Sequence, residues 1–254
     1  LGKGYTSNGR INNVTVFDLN TNKILTQIAT GENPDAIMYD AFSKKIITCN
    51  GRSKDLSVID PATDKVIATI PVGGKPETAV SNQAGKIFVN IEDKNEIVVV
   101  NINNNTVESH WPIAPGEAPT GLAIDLATNR LFAGCGDNKW LMILDAINGK
   151  IIDSIGIGDG CDGVAFDKTT KNIFTSNGEG TLSIVHEASA NKFETIATVP
   201  TKRSARTVAV DEQTHYVFLP AADFEPLTDQ EKAANPKARP KMIPGTFQVL
   251  VAGQ

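Results

Sequence analysis

The stretch VTVFDLNTNKILTQI at residues 14–28 recurs along the chain as LSVIDPATDKVIATI from Leu56, IVVVNINNNTVESHW from Ile97, LMILDAINGKIIDSI from Leu141 and LSIVHEASANKFETI from Leu182. One polar position anchors these copies, at Asp18, Asp60, Asn101, Asp145 and His186, and successive anchors are 42, 41, 44 and 41 residues apart. A fixed period of this length is typical of stacked supersecondary units. The chain therefore contains five in-register repeats.

A second block alternates with the first and keeps the same period. It reads PDAIMYDAFSKKIIT from Pro34, PETAVSNQAGKIFVN from Pro76, PTGLAIDLATNRLFAG from Pro119, CDGVAFDKTTKNIFTS from Cys161 and ARTVAVDEQTHYVFLP from Ala205. Each repeat then holds four short runs rich in Val, Ile, Leu and Phe, separated by clusters of turn-forming residues. This pattern predicts an all-β fold, a β-propeller of four-stranded antiparallel blades.

Strand counting gives the predicted extent of the ring. Within a blade we name the strands A to D from the axis outward. The chain then begins in a B strand at Gly4–Ser7 and ends in a C strand at Phe247–Val251. The 22 strands counted in this way make five and a half blades of one domain, residues 1–254. A seven-bladed ring would need about six more strands at the amino end, and a six-bladed ring lacking two is the alternative.

Two strand pairs carry a family resemblance: KIFVNIEDKNEIVVVNINNNTV from Lys86 and NIFTSNGEGTLSIV from Asn172. These segments resemble the YVTN-repeat (YncE-like) propellers, and the likeness extends over nearly the whole chain. The resemblance implies a periplasmic or secreted protein, often with seven blades. Most members have no assigned activity, so the resemblance implies a location more firmly than a role.

Composition sets limits on the partners. The formal net charge is −5, from 24 basic and 29 acidic residues, whereas nucleic-acid binding needs a clustered positive surface. No apolar run is long enough to span a membrane, and a monomer is expected.

Three cysteines without C-x-x-C spacing cannot form a complete disulfide framework, although one bridge between Cys135 and Cys161 is conceivable in an oxidising compartment.

The loops before the A strands and between the B and C strands are predicted to share one face of the propeller, nearest the axis. The residues following the Pro-equivalent position diverge between repeats, as Asp35, Glu77, Thr120, Asp162 and Arg206. The B-to-C loops add Asn50, Arg52, Glu92, Asp93, Asp137, Asn138, Asn177 and Glu179. These residues are the predicted ligand-binding set. No cofactor is predicted, but three carboxylates around an open axis could hold a divalent cation or a polar ligand.

Three functional hypotheses remain open. The leading one is a non-catalytic propeller that binds a small ligand or a protein partner on this face, because the chain offers polar loops but no nucleophile-and-base set. The second is a metal-assisted enzyme of the lactonase or lyase kind, with the axial carboxylates as candidates. The third is a redox-associated module, against which stands the absence of a C-x-x-C-H haem attachment motif.

The last repeat carries an irregular Pro-rich insert at residues 221–245, where the other repeats have a short B-to-C loop. Its later part, KARPK at residues 237–241, is basic. Long loops of this kind are often functional. The insert is therefore a candidate lid over the axial mouth or a docking segment.

Overall fold

The computed structural model describes residues 1–235, 238 and 240–253, without the side chain of Lys232. Within this part of the chain, 22 strands form six antiparallel sheets, the blades. Blade 1 contains β1 (Lys3–Asn8), β2 (Asn13–Asp18) and β3 (Ile24–Ala29). Blade 2 contains β4 (Pro34–Asp40), β5 (Lys45–Asn50), β6 (Asp55–Asp60) and β7 (Lys65–Pro71).

The next three blades are also four-stranded. Blade 3 contains β8 (Pro76–Ser81), β9 (Lys86–Ile91), β10 (Glu96–Asn101) and β11 (Thr106–Pro112), with a 3₁₀ turn at Glu92–Lys94. Blade 4 contains β12 (Pro119–Asp125), β13 (Arg130–Cys135), β14 (Trp140–Asp145) and β15 (Ile151–Gly156). Blade 5 contains β16 (Cys161–Asp167), β17 (Asn172–Asn177), β18 (Thr181–Ser189) and β19 (Lys192–Pro200).

Blade 6 has three strands in the described residues, β20 (Ala209–Val210), β21 (Val217–Ala221) and β22 (Gln248–Ala252). The predicted 22 strands are confirmed, and so are the B-strand beginning and the C-strand end of the chain. They are distributed over six blades, of which the first and the last have three strands each. None of the described strands pairs blade 1 with blade 6. The described helices include none that is both long and apolar enough to cross a bilayer.

The apolar core lies between neighbouring blades. In β10, Val98 and Val100 pack towards blade 2, whereas Ile97 and Val99 pack towards blade 4. Successive side chains of a strand point to opposite faces of its sheet, so a strand buried on both faces needs a continuous apolar run. The run IVVV at residues 97–100 meets this requirement, which explains why the middle strands of the repeats are so rich in Val and Ile.

The repeated Asp residues form the turns on one end of the blades, which we call the turn face. Asp145 Oδ1 accepts a hydrogen bond of 2.8 Å from the Ile147 N–H, and Asp167 Oδ1 accepts one of 2.9 Å from the Thr169 N–H. These are Asx turns, in which a carboxylate replaces a backbone acceptor. The repeated Asp residues therefore have a structural role in the turns. In the fifth copy, His186 instead bonds Asn172 across the strand pair at 3.0 Å.

The insert in blade 6 has its own local structure. A short helix α1 (Asp229–Ala234) begins with a capping box between Thr228 and Glu231. The Glu225 N–H donates to the carbonyl of Lys241 at 2.9 Å, so the two arms of the insert run side by side. Pro236, Lys237 and Arg239 lie outside the described residues, so the basic segment is described only in part. The assignment of the insert as a lid stays a prediction.

Candidate functional site

The inner strands β4, β8, β12 and β16 lie side by side around the axis, and β20 follows them. The predicted ring residues occupy the second position of these strands or, in blade 6, the loop before β20. We call this set the axial mouth: Asp35, Glu77, Thr120, Asp162 and Arg206. It lies on the loop face, the end of the blades opposite the turn face, because A-to-B turns and the loops before A strands are at opposite ends of a strand.

The structure brings several of the predicted carboxylates together around one lysine. Lys75 Nζ lies 2.6 Å from Glu77 Oε1 and also binds the Glu92 carboxylate. Burial raises the pKa of Glu77 to about 7; the Lys75 ammonium opposes this effect, and the negative charges of Glu92 and Asp35 add to it. Glu77 therefore changes its charge near neutral pH, whereas Asp35 beside it is exposed to solvent.

Asp93 supports this cluster through two contacts. Its Oδ1 accepts a hydrogen bond of 2.6 Å from the Lys75 N–H, and its Oδ2 lies 2.8 Å from Lys54 Nζ of blade 2. Burial acts to raise the pKa of Asp93, but the Lys54 and Lys75 hydrogen bonds outweigh it and hold the pKa below its ordinary value. Asp93 thus joins blades 2 and 3 and is already occupied as an acceptor.

A second charged pair lies between blades 5 and 6. Arg206 Nε is 3.5 Å from Asp162 Oδ2, and both side chains keep part of their surface in solvent. Thr120 between the two clusters is buried, and its hydroxyl donates to the Cys161 carbonyl at 2.6 Å. Thr120 is therefore a contact between blades 4 and 5, and the charged part of the mouth consists of the other four residues.

Two predicted site residues are internal structural groups. Asn50 is fully buried and donates to Asp55 Oδ1 at 2.7 Å and Ser57 Oγ at 2.9 Å. Asn177 is equally buried and donates to Thr181 Oγ1 and Ser183 Oγ. Both amides tie a B strand to the following C strand, and neither is accessible to a ligand.

The remaining loop residues are dispersed. Arg52 and Asp137 are exposed, and within the described residues neither side chain has a hydrogen-bond partner. Asn138 donates to the Pro115 carbonyl at 2.5 Å, and Glu179 accepts from Thr181 Oγ1 at 3.0 Å. The structure therefore gathers Glu77, Glu92 and Asp93 around Lys75, with Asp35 near Glu77, and leaves the other B-to-C loop residues apart. Among the described residues, no group of three His, Cys, Asp or Glu side chains is arranged to hold a metal ion.

The three cysteines, Cys49, Cys135 and Cys161, are free and buried. Burial raises the pKa of all three thiols, that of Cys135 to about 12. Thiolates are the reactive form of cysteine, so these residues are apolar packing groups in the native state.

Comparisons with known proteins show the fold. No family model and no curated protein matches the chain. A chain of Kuenenia stuttgartiensis hydrazine synthase has a TM-score of 0.74 at 18% identity, over 86% of this chain and 70% of that one. A chain of the mitotic checkpoint complex has a TM-score of 0.76 at 14% identity, over 86% and 68%. The β-propeller domain of Myceliophteria thermophila Cps50 (Swd1) has a TM-score of 0.71 at 13% identity, over 85% and 75%.

The chain is a β-propeller. At identities this low the likeness shows the architecture alone and assigns no activity to the axial mouth.

Sequence reasoning missed two features of this propeller, a lysine at the axial mouth and a buried carboxyl group on the turn face. Lys75 binds two of the carboxylates and directly precedes Pro76, in the loop before β8. The only sequence feature that marked it was a single cation among acidic loop residues. On the turn face, Glu187 of β18 is only 4% exposed. Its Oε1 accepts from Thr128 Oγ1 at 2.8 Å, whereas Oε2 is buried without a hydrogen-bond partner. No pattern in the repeat marks this residue as buried.

Proposed function

We propose that the chain is a non-catalytic binding propeller whose axial mouth receives a cationic side chain of a protein partner. The observation that carries this proposal is the binding of Glu77 and Glu92 to Lys75, with the exposed Asp35 close enough to Glu77 to raise its pKa. Three carboxylates against one ammonium leave an excess of negative charge at the mouth when Glu77 is ionised. A Lys or Arg of a partner would compensate this charge.

The geometry of the cluster also supports recognition of a protein over a diffusible metal ion. Asp35 is exposed on the rim, whereas the Glu77 side chain is only 17% exposed. An incoming cation would meet Asp35 first and then replace or join Lys75 beside Glu77. Arg206, across the mouth, is 56% exposed at its side chain and offers a donor for a carbonyl or carboxylate of the same partner.

The comparisons with known proteins and the resemblance to a propeller family give further support to the proposal. One similar propeller is part of the mitotic checkpoint complex, an assembly of proteins. The strand pairs from Lys86 and Asn172 support membership of the YVTN-repeat family. That membership in turn supports a periplasmic or secreted location and a ring of seven blades, one more than the six described here.

Peptide binding at two pH values tests the proposal. A fluorescein-labelled pentalysine peptide is titrated with the protein at 0.15 M salt, and its fluorescence anisotropy is measured at pH 6 and pH 8. Because Glu77 ionises with a pKa of about 7, the fraction of charged Glu77 rises about tenfold over this range. We expect the association constant to rise by a similar factor, and we expect no binding of a pentaglutamate peptide.

Two matched variants separate the mouth from the general negative charge of the protein. Glu77→Gln and Glu179→Gln each remove one carboxylate from the loop face. Glu179→Gln should keep the rise in affinity between pH 6 and pH 8, and Glu77→Gln should abolish it. Equal behaviour of the two variants, or an affinity independent of pH in the unmodified protein, would contradict the proposed function.

A further inference from the structure

A cavity of about 470 Å³ lies on the turn face, where the inner strands end. We call it the turn-face cavity. Within the described residues, blades 3 to 5 supply its lining apart from Glu212 of blade 6. Four lining residues hold one repeated position, directly after the Asp or Asn that begins each A-to-B turn, and all four are exposed: Gln83, Leu126, Lys168 and Glu212. Cavities of this size are typical of small-molecule sites.

Three apolar side chains line the turn-face cavity. Ile124 and Phe166 are half-buried, because one side of each packs into the core between two blades. Leu126 stands beside them and is 41% exposed. A ligand that covers these three side chains removes apolar surface from water, which favours binding. The cavity therefore suits a ligand with an apolar group.

Two of the charged lining residues already neutralise each other. Lys171 Nζ lies 2.8 Å from Asp125 Oδ2 and 5.4 Å from the centre of the Phe166 ring. The Asp125 carboxylate is almost fully buried and also accepts hydrogen bonds from the Ala127 N–H at 2.9 Å and the Thr128 hydroxyl at 3.0 Å. A ligand therefore finds no free carboxylate oxygen here, and the pair favours neither sign of charge.

The other two charged lining residues form an ion pair in solvent. The Lys168 ammonium of blade 5 binds the Glu212 carboxylate of blade 6, and the two side chains are 67% and 45% exposed. Exposed ion pairs contribute little to stability, so a ligand can separate this one at little cost. The cavity thus offers one accessible cation and one accessible anion side by side. Their charges sum to zero, which favours a ligand of no net charge.

We propose that the turn-face cavity binds a free α-amino acid with a large apolar side chain. An α-amino acid carries its ammonium and its carboxylate on one carbon atom, so the groups that bind them must also be adjacent, as Lys168 and Glu212 are. The ligand carboxylate binds Lys168, the ligand ammonium binds Glu212, and the side chain covers Leu126 and the half-buried apolar wall. This site is at the opposite end of the blades from the axial mouth and does not depend on the function proposed there.

A series of small ligands tests the proposal on the unmodified protein. L-Leucine is titrated into the 254-residue protein by isothermal calorimetry, and we expect saturable binding. Leucine amide lacks the carboxylate, 4-methylpentanoate lacks the ammonium, and glycine lacks the apolar side chain. Each should bind at least about tenfold more weakly than leucine, because each loses one of the three contacts. Absence of leucine binding, or equal affinity for leucine and 4-methylpentanoate, would overturn the proposal.

Variants of the two charged residues assign each contact. Glu212→Gln should weaken leucine binding about tenfold without weakening that of 4-methylpentanoate, which has no ammonium. Lys168→Met should weaken leucine binding by a similar factor without weakening that of leucine amide. The controls Glu194→Gln and Lys150→Met remove exposed charges outside the cavity and should leave leucine binding unchanged. Equal losses in the controls would show a general effect of charge and would contradict the site.

Discussion

Glu187 allows a quantitative prediction about stability and pH. Its carboxyl group is buried on the turn face beside Asp125, and one of its oxygens has no hydrogen-bond partner. Burial raises its pKa to about 7; the hydrogen bond from Thr128 lowers the pKa, whereas the neighbouring Asp125 carboxylate raises it further. In the folded protein Glu187 is therefore mainly protonated at pH 5 and mainly ionised at pH 9.

The sign of the effect follows from linkage. A carboxyl group whose pKa is higher in the folded state than its ordinary value of 4.5 binds more protons when folded, so its contribution to stability is present below pH 4.5 and is lost as the pH rises to 7. One pKa unit corresponds to about 1.36 kcal/mol. The full difference is about 3 kcal/mol, and local rearrangement of water and Lys171 reduces it, so we expect about 1 to 3 kcal/mol.

The substitution Glu187→Gln should remove this penalty. Glutamine keeps an oxygen acceptor for Thr128 and has no charge at any pH, so Asp125 does not repel it. We expect Glu187→Gln to raise the free energy of unfolding at pH 9 by about 1 to 3 kcal/mol more than at pH 5, measured by equilibrium urea denaturation. Glu194→Gln, at an exposed position of β19, is the control and should have the same small effect at both pH values. A stabilisation that is equal at pH 5 and pH 9, or a loss of stability at pH 9, would refute the reasoning.

Two further predictions concern packing. Gly121→Ala should destabilise the protein by about 2 to 4 kcal/mol, because a Cβ there would lie 2.5 Å from the Val164 N atom of the next blade, whereas Gly156→Ala, whose Cβ would have no atom within 4 Å, should have little effect on the melting temperature. If both variants had the same melting temperature, the close packing of blade 4 against blade 5 at Gly121 would contribute little to stability, and the prediction would be wrong. The three buried thiols should fail to react with a disulfide reagent in the native protein and react fully in urea, and rapid native reaction would contradict their burial.

The fold could be predicted from the sequence because its determinants are local and repeated. Asp18, Asp60 and Asp145 each close a turn through bonds to their own backbone neighbours, so their spacing of one blade is visible without any long-range information. The apolar runs such as residues 97–100 follow from burial on both faces of each blade. The turn residues and the strand composition therefore predicted where the strands lie and how many there are.

For the candidate site, the sequence predicted where the residues lie along the strands but not which groups they contact. In blades 2 to 5 the second residue of each inner strand lies at the mouth, and in blade 6 Arg206 lies in the loop before β20, but the partners of these residues come from other loops and other blades. Asn50 and Glu92 were predicted from equivalent B-to-C loops, yet Asn50 bonds inside its own blade and Glu92 reaches Lys75. A repeat predicts where the backbone goes, and it does not predict which of several neighbouring polar groups a side chain selects.

Departures from the repeat are informative when the structure shows what the regular copies do. Lys171 and His215 occupy equivalent positions of blades 5 and 6 but differ in residue type, so the sequence does not mark them as a pair. The structure shows that both equivalents bind an inner carboxylate of the preceding blade, at 2.8 and 2.7 Å. Because Asp125 and Asp167 are almost fully buried, these contacts are integral to the blade interfaces. In blade 4 the same position is Asn129, so the repeat determines where this contact lies, and the individual residue decides whether it is an ion pair.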